Sequence, residues 1–432
     1  MLNLNCEIII YEVTKKGKRT QNQISIDFVN SLEIESSWRE FTDTASITLP
    51  RLIDPDIKDW ESQDKSFRQH LNLWAKYHPH IEIYLGYQGR RNLAFKGIIR
   101  DVKGGVPVTL ICEDDMYHFK TKMISYSNKN ASLKSIVESF GSITNAKGET
   151  IGIDCKEGIN LGTFITEKPM TPVKVLEKLK DDYGIYSFIR YDKEHYSHLV
   201  IGKEYEVNHG STIEDIKTKF GGNFIFYNNI IEDDLIYKYE EDINVKVSYV
   251  AKGADENDQV KVTYPDDDQK TRIDFSGIYG GVLSGLFNNI HIKESTVEKD
   301  LSESAEELVF YTFEHNLKER KKNKNELKEL KSKLLNMAKR RLELIKHDGF
   351  SGSFTSFGDI LIEDDDPRNN IGGFVRHGDH IQLQEQNKTS IIGKVLSKQM
   401  YFVDGVTYSF GIDGFRQKIV LGRTKIETNK KG

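Results

Sequence analysis

Residues Ser31–Arg51 read SLEIESSWREFTDTASITLPR, and their pattern decides the fold class. Leu32-Glu33-Ile34-Glu35 and Ala45-Ser46-Ile47-Thr48-Leu49 alternate apolar and polar side chains. A period of two sends successive residues to opposite faces, so each run reads as a half-buried strand. Asp43-Thr44 lies between them, and Pro50 ends the second because it has no N–H to give a ladder. The same signal extends outward in both directions. Cys6 to Val13 is an apolar, β-branched run, the basic turn Lys15 to Arg19 follows, and Ile24 to Val29 alternates again. His80 to Tyr87, Leu93 to Val102 and Pro107 to Cys112 add three strands, separated by Gly86-Tyr87-Gln88-Gly89 and Gly104-Gly105. Several short strands with close turns over residues 1–120 predict a barrel or sandwich.

The middle of the chain changes period. Leu133, Ile136, Val137 and Phe140 fall at helical spacing and stop at Gly141. Thr171-Pro172 opens a second helix with Pro in its first turn, Val173, Leu176 and Leu179 continue one face, and Gly184 closes it. Ile185 to Arg190 and His198 to Ile201 read as a hairpin, so residues 121–240 predict a small α/β domain. Strands return between Asn244 and Tyr264. Residues 295–346 read as one long basic helical segment. In it Leu327, Leu330, Leu334, Met337, Arg341 and Leu344 form a seam at spacings of three and four with one basic interruption. Gly352 to Phe354, Ile381 to Leu383, Ile391 to Ser397, Val406 to Ile412 and Gln417 to Leu421 are β again, and residues 423–432 read as a tail.

Composition bounds the function. The chain has 432 residues, which at about 150 residues per domain predicts about three domains. A net charge of -5 argues against a surface built throughout to hold nucleic acid. The 22 Phe and 20 Tyr supply bulky apolar area for cores, and 33 Gly with 8 Pro are too few for a low-complexity chain. No apolar run approaches the roughly 18 residues that span a bilayer, so no stable membrane insertion is expected. Met1 to Glu12 lacks a signal-peptide core. Cys6, Cys112 and Cys155 are odd in number and far apart, which reads as reduced thiols in a chain made in the cytoplasm.

No residue pattern calls for a catalytic, cofactor-binding or metal-binding site, and no cofactor is expected. Gly277-Ile278-Tyr279-Gly280-Gly281 and Gly17-Lys18-Arg19-Thr20 lack the spacing of a phosphate-cradling loop. His78-Pro79-His80 and His377-Gly378-Asp379-His380 are close His pairs without a joining Cys, and read as exposed loop histidines. Gly349-Phe350-Ser351-Gly352-Ser353 has the wrong order for a nucleophile elbow. Glu113-Asp114-Asp115 and Asp364-Asp365-Asp366 offer carboxylates, but neighbours on a strand point to opposite faces, so they read as solvated turn or edge charges. Lys318 to Lys346 carries 12 basic and 4 acidic residues. Its leading reading is a solvated helix packed by its Leu seam on its own domain. Packing between copies, or contact with nucleic acid or an acidic partner, are the other two.

Several phrases, taken in order, resemble the baseplate hub proteins of phage tails, the late-control-D-like hubs of contractile and long-tailed phages and related injection systems. Ser31–Arg51 resembles the family's strand, "tdta" turn and strand ending "ItLP". Phe95-Lys96-Gly97-Ile98-Ile99 with Val108 to Asp114 resembles its "F-x-G-x-I … v-x-l-x-c-E-D" pair. Thr171 to Tyr186 and Leu199 to Gly202 are similar to its helix and the strand that follows. Gly352 to Gly358, His377-Gly378-Asp379 and Phe415 to Gly422 are similar to its closing pattern.

The resemblance implies a mainly β fold with α+β character. Two tube-protein-like β-barrels are joined by a small α/β unit, with the long helical segment inserted before or within the second barrel. The first barrel would occupy residues 1–120 and could borrow strands from 201–239; the second would occupy 241–294 and 347–422. It further implies a structural, non-enzymatic baseplate hub. Three chains would form a pseudo-sixfold ring connecting the tail tube, or a distal tail protein, to the spike, with a channel for genome or effector. The tape measure protein is a further candidate partner, and DNA would pass the lumen without specific contact. The expected place is the virion tail, assembled in the bacterial host cytoplasm. With no spike, lysozyme or peptidase pattern after Gly422, the spike and any wall-cutting enzyme are expected on separate chains. The alternatives are a tail-associated cell-wall hydrolase, which needs two facing carboxylates or a metal, and a carbohydrate-binding adhesion protein. The latter has only Trp38, Trp60 and Trp74 to line a groove.

Overall fold

The computed structural model describes residues 4–14, 16, 19–50, 67–87, 91–166, 168–191, 195–203, 220–238, 245–253, 259–265, 306–314, 317–345, 349–358, 374–385 and 400–425. The chain forms two compact units, one of Met1–Lys238 with His347–Gly432, the other of Tyr239–Lys346.

The larger unit opens with strands β1 (Leu4–Val13), β2 (Arg19–Ile26), β3 (Ser31–Ser37) and β4 (Thr44–Leu49). Helix α1 (Phe67–Tyr77) leads to β5 (His80–Tyr87), β6 (Asn92–Lys103) and β7 (Val108–Glu113). The quoted stretch behaves as its alternation requires. Leu32, Ile34, Ala45, Ile47 and Leu49 are buried in the core, while Glu33 and Glu35 are exposed. β3 and β4 pair antiparallel, with Ile34 opposite Ala45.

The α/β region contains β8 (Ser127–Ser132), α2 (Leu133–Glu138), β9 (Gly152–Cys155), β10 (Asn160–Ile165), α3 (Pro172–Tyr183), β11 (Ser187–Tyr191) and β12 (Ser197–Ile201). The Thr171 side chain caps α3 by accepting from Lys174 N–H, and Pro172 stands in its first turn. Gly184 ends it at φ +63°, a left-handed turn that a Cβ would strain. β11 and β12 form the expected hairpin, and β12 adds β9 in parallel.

Three strands follow before the chain leaves this unit: β13 (Phe220–Ile225), β14 (Ile230–Asp233) and β15 (Ile236–Lys238). The smaller unit then supplies β16 (Val245–Lys252), β17 (Gln259–Tyr264), β18 (Glu306–Phe313), α4 (Leu317–Lys322) and α5 (Lys324–Ile345). The chain returns as β19 (Gly349–Ser351), β20 (Ser353–Phe357), β21 (His380–Gln384), β22 (Met400–Gly411) and β23 (Gly414–Lys425). β15 and β19 pair antiparallel, Tyr237 opposite Phe350, so the smaller unit is an insertion between two adjacent strands.

The opening and closing strands share one mainly antiparallel sheet of thirteen described strands, ordered β14-β20-β23-β22-β3-β4-β7-β6-β5-β1-β2, with β21 and β13 added beside β22. The join is β3 on β22, in register from Ser31–Gly411 to Ser37–Gly405. One apolar core runs through both halves, from Ile8 and Ile83 to Tyr408 and Ile419.

Four boundaries differ from the sequence reading, the smallest at the end of the chain, where β23 continues to Lys425 through residues that read as tail. Strands within 201–239 pair with closing strands rather than with the first seven: β13 with β21, β14 with β20, β15 with β19. The buried Phe224 and Phe354 rings, 4.9 Å apart, fix that choice. β16 and β17, assigned from sequence to the second barrel, belong to the inserted unit with β18. Residues 306–313 are a strand rather than helix, because Leu308 to Phe313 is rich in β-branched and aromatic residues.

In the smaller unit the helical seam packs on its own sheet. Leu330, Leu334, Ala338 and Leu342 are buried against Val247, Tyr249, Ala251 and Val260, with Leu327 and Met337 partly covered. The basic interruption has a partner there. Arg341 donates from Nε to the Tyr249 hydroxyl at 3.2 Å and lies 4.7 Å above the Phe310 ring.

Candidate functional site

The most concentrated polar chemistry lies where the β3–β4 turn, the end of β7 and the α/β region meet. The Asp43 N–H donates to Asp114 Oδ2 at 3.1 Å, and the Asp114 N–H donates to the Asp43 carbonyl at 3.1 Å. The Ser36 hydroxyl donates to Asp43 Oδ2 at 2.7 Å. Asp114 Oδ1 accepts from Met116 N–H, capping a 3-10 turn over Asp115–Lys120. Asp115, fully buried, accepts from the Ser197 hydroxyl of β12. Glu113 is buried between Arg100 Nη1 and Lys120 Nζ, each 2.6 Å away.

Gly97 explains how these chains come so close. A Cβ there would stand 2.1 Å from the Glu113 carbonyl oxygen and 2.8 Å from Asp114 Cα. The glycine in Phe95-Lys96-Gly97 therefore serves the crossing of β6 under Glu113-Asp114.

Burial pushes the Asp43 carboxyl up to about 6, against the Ser36 hydrogen bond and the Arg190 charge. Burial also raises Asp114 well above its usual range, and the Asp43 charge adds to the rise. Two acids this close disfavour double ionisation.

The facing side comes from β11, β22 and residues 374–379. Ser36, Asp43, Arg190, Tyr191, Arg376 and Tyr408 line a small cavity there. Arg190 is buried, and burial lowers it to about 10 despite the nearby Asp379. One of its Nη atoms lies 3.4 Å from His377 Nδ1. His377 is fully buried, edge-on to Phe188 at 4.7 Å, and burial with the Arg190 and Arg376 charges pushes it well below its usual value. The Arg376 N–H donates to Asp379 Oδ2 at 2.8 Å.

A second cluster ties the same regions together. The Tyr191 hydroxyl donates to the Lys96 carbonyl at 2.5 Å, and Lys96 Nζ donates to the His195 carbonyl at 2.6 Å. Glu82 is held by His80 Nε2 at 3.2 Å and by Lys147. Burial alone would raise Glu82, but these two partners hold it far below the usual carboxylate range. Most of the buried acids meet a cation, an imidazole or a hydroxyl: Asp43 meets Ser36, Asp115 meets Ser197, Glu113 meets Arg100 and Lys120, and Glu82 meets His80 and Lys147, while Asp114 is held by the N–H groups of Asp43 and Met116.

Several sequence candidates sit differently from expectation. His80 and His377 are buried and His78 half-buried, so the exposed-loop reading does not hold for them. Glu113, Asp114 and Asp115 are buried rather than solvated. Some of their partners are local, as Glu82 is for His80 and Lys120 for Glu113, and others are distant, as Ser197 is for Asp115. Among the described residues no group of three His, Cys, Asp or Glu could hold a metal ion. Gly349 to Ser353 forms β19 and the start of β20. Cys6 and Cys112 are buried free thiols. Burial raises Cys6 to about 12. Trp38 and Trp74 are core residues, so neither can line a sugar groove. Gly277 to Gly281, Asp364 to Asp366, Trp60, Gly17 and Lys18 lie outside the described residues. Among the described residues no helix is long and apolar enough to cross a membrane.

Two solved tail proteins are similar to this mainly β chain in fold. The tail protein from Neisseria meningitidis MC58 is similar over 98% of this chain and 97% of its own, with a TM-score of 0.53 and 11% identity. The 43 kDa tail protein of prophage MuSo2 from Shewanella oneidensis is similar over 96% of this chain and 98% of its own, with a TM-score of 0.51 and 12% identity. No protein-family model and no curated protein sequence matches the chain. The chain has the fold of these tail proteins.

Proposed function

We propose that this protein is a structural baseplate hub of a phage tail or related injection machine. Three copies form a pseudo-sixfold ring that joins the tail tube to the spike and leaves a channel for genome or effector. The observation that carries the reading is fold likeness to two tail proteins over nearly the whole of both chains. In this reading the opening and closing strands are two tube-like β domains of one chain, so three chains offer six. The tube or distal tail protein and the spike are its partners, with the tape measure protein a further one, and its place is the virion tail after assembly in the host cytoplasm. Its work is done by interfaces rather than catalysis.

The channel wall in this reading is the exposed face of β3, β4 and β22. Glu33 pairs across to Ser46 and Ser409, and Glu35 to Thr44 and Thr407. Short hydroxyls and two carboxylates give a passing polyanion little to grip.

Mass measurement of the purified chain, alone and with its tube and spike partners, tests the proposal. The expected species is three times 49.7 kDa, with threefold rings in electron micrographs. A chain that stays monomeric with both partners present overturns it.

A further inference from the structure

The basic helix is not used by the hub reading, and its outer face has a chemistry of its own. Its apolar seam is spent on the β16–β17–β18 sheet. What remains outside is Lys318, Lys322, Lys324, Lys328 and Lys331, all exposed, with Glu319, Glu326 and Glu329 between them. Lys322, Lys324, Lys328 and Lys331 make no ion pair among the described residues. Glu326 is engaged in a hydrogen bond from Asn323 Nδ2 at 2.9 Å. Among the described side chains of α4 and α5, no large apolar one is exposed.

That last fact selects the partner. A stable protein interface needs a desolvated apolar or aromatic centre, which this face lacks. A polyanion needs only positive charge at phosphate-like intervals, since binding is driven by counterion release. On α5 alone, with 1.5 Å rise per residue, Lys324 to Lys331 covers about 10 Å, or about three phosphates of one DNA strand, and Lys322 at the end of α4 offers a fourth charge. Exposed aromatics that would stack on unpaired bases are likewise missing from the described α4 and α5, so the backbone of a duplex is the better fit.

We propose that the outer face of α4 and α5 is a docking surface for the phosphate backbone of duplex DNA, without sequence preference.

The test is fluorescence anisotropy of the full chain with a labelled 30-base-pair duplex across a salt series. About four phosphate contacts predict a slope near -3.6 in log K against log salt, hence roughly 150-fold weaker binding at 200 mM than at 50 mM salt. Charge reversal at Lys322→Glu, Lys324→Glu, Lys328→Glu and Lys331→Glu should abolish binding, with the circular dichroism spectrum retained. The opposite change, Glu319→Lys with Glu329→Lys, should tighten binding at least tenfold and steepen the salt slope. Absence of duplex binding at 50 mM salt overturns the proposal. So does binding that ignores both sets of changes, or a preference for an acidic polypeptide such as polyglutamate over the duplex.

Discussion

The Trp38 indole Nε1 donates to Asp404 Oδ1 at 2.9 Å, joining residues 366 positions apart. Arg39 adds its Nε to Asp404 Oδ2 at 2.9 Å, and the Ser37 hydroxyl donates to the Asp404 carbonyl at 3.1 Å. Both Trp38 and Asp404 are buried, at the end of the β3–β22 pairing that holds the opening and closing strands in one sheet. Asp404→Ala leaves the indole N–H without an acceptor and is expected to cost about 2–3 kcal/mol in urea unfolding. Asp404→Asn keeps one acceptor oxygen and should cost less. Equal stability of the alanine variant and the parent would mean that the clamp contributes nothing to the join.

Asp43 carries a pH dependence of unusual sign. Its carboxyl rises from 3.8 to about 6 on folding, so between those values the folded chain binds a proton that the unfolded chain releases. Its contribution to stability is therefore greatest in acid and falls as pH rises through about 4 to 6. Asp43→Asn mimics the protonated form and can still accept from Ser36. The variant is expected to match the parent near pH 4 and to exceed it by about 3 kcal/mol at pH 7.5, read from urea midpoints at both pH values. The buried histidines act in the opposite direction. Burial lowers His80 and His377, so the neutral rings that suit the fold are lost as pH falls, and stability drops below the ordinary histidine range. His377→Gln should flatten that acid limb while leaving the Asp43 slope in place.

The inserted unit has its own weak point. Leu334 is fully buried beneath α5 against the sheet. Leu334→Ala should cost about 3 kcal/mol, as large-to-small changes in cores do. Hydrogen exchange locates the loss: peptides from Leu317–Ile345 should exchange faster, while those from β1, β5 and β22 keep the parent's protection.

Local structure was legible where short-range chemistry decides it. The alternation in Leu32 to Leu49 named two strands and their buried faces, and Thr171, Pro172 and Gly184 marked both ends of α3. Pairing was not legible, because a period of two states which face is buried but never which strand lies alongside. Hence β13 to β15 looked available to either half. Residues 306–313 were lost among Lys and Glu on both sides, although Leu308 to Phe313 alone would have read as a strand. The polar seam was hidden for a related reason. Adjacent acids at 113–115 look solvated until Arg100, Lys120 and Ser197 arrive from elsewhere in the chain. The resemblance did mark the place, since Gly97 and Glu113-Asp114 are its motif residues and meet at one crossing.

That crossing gives the sharpest prediction. Adding a methyl at Gly97 would put it 2.1 Å from the Glu113 carbonyl oxygen, a backbone atom that cannot swing aside as a side chain can. Either β6 or the end of β7 must shift, and the shift carries Asp114 and the Asp43 turn with it. Overpacking of this kind costs about 1–3 kcal/mol or more. Gly97→Ala is thus expected to lose at least 2 kcal/mol in urea unfolding and to disturb the Asp43–Asp114 pair. The second effect separates this cause from a general loss of stability: the downward slope that Asp43 contributes between pH 4 and pH 6, read as the difference between Gly97→Ala with and without Asp43→Asn, should shrink. A variant that is weakened but keeps the full slope would show that the crossing and the acid pair are independent.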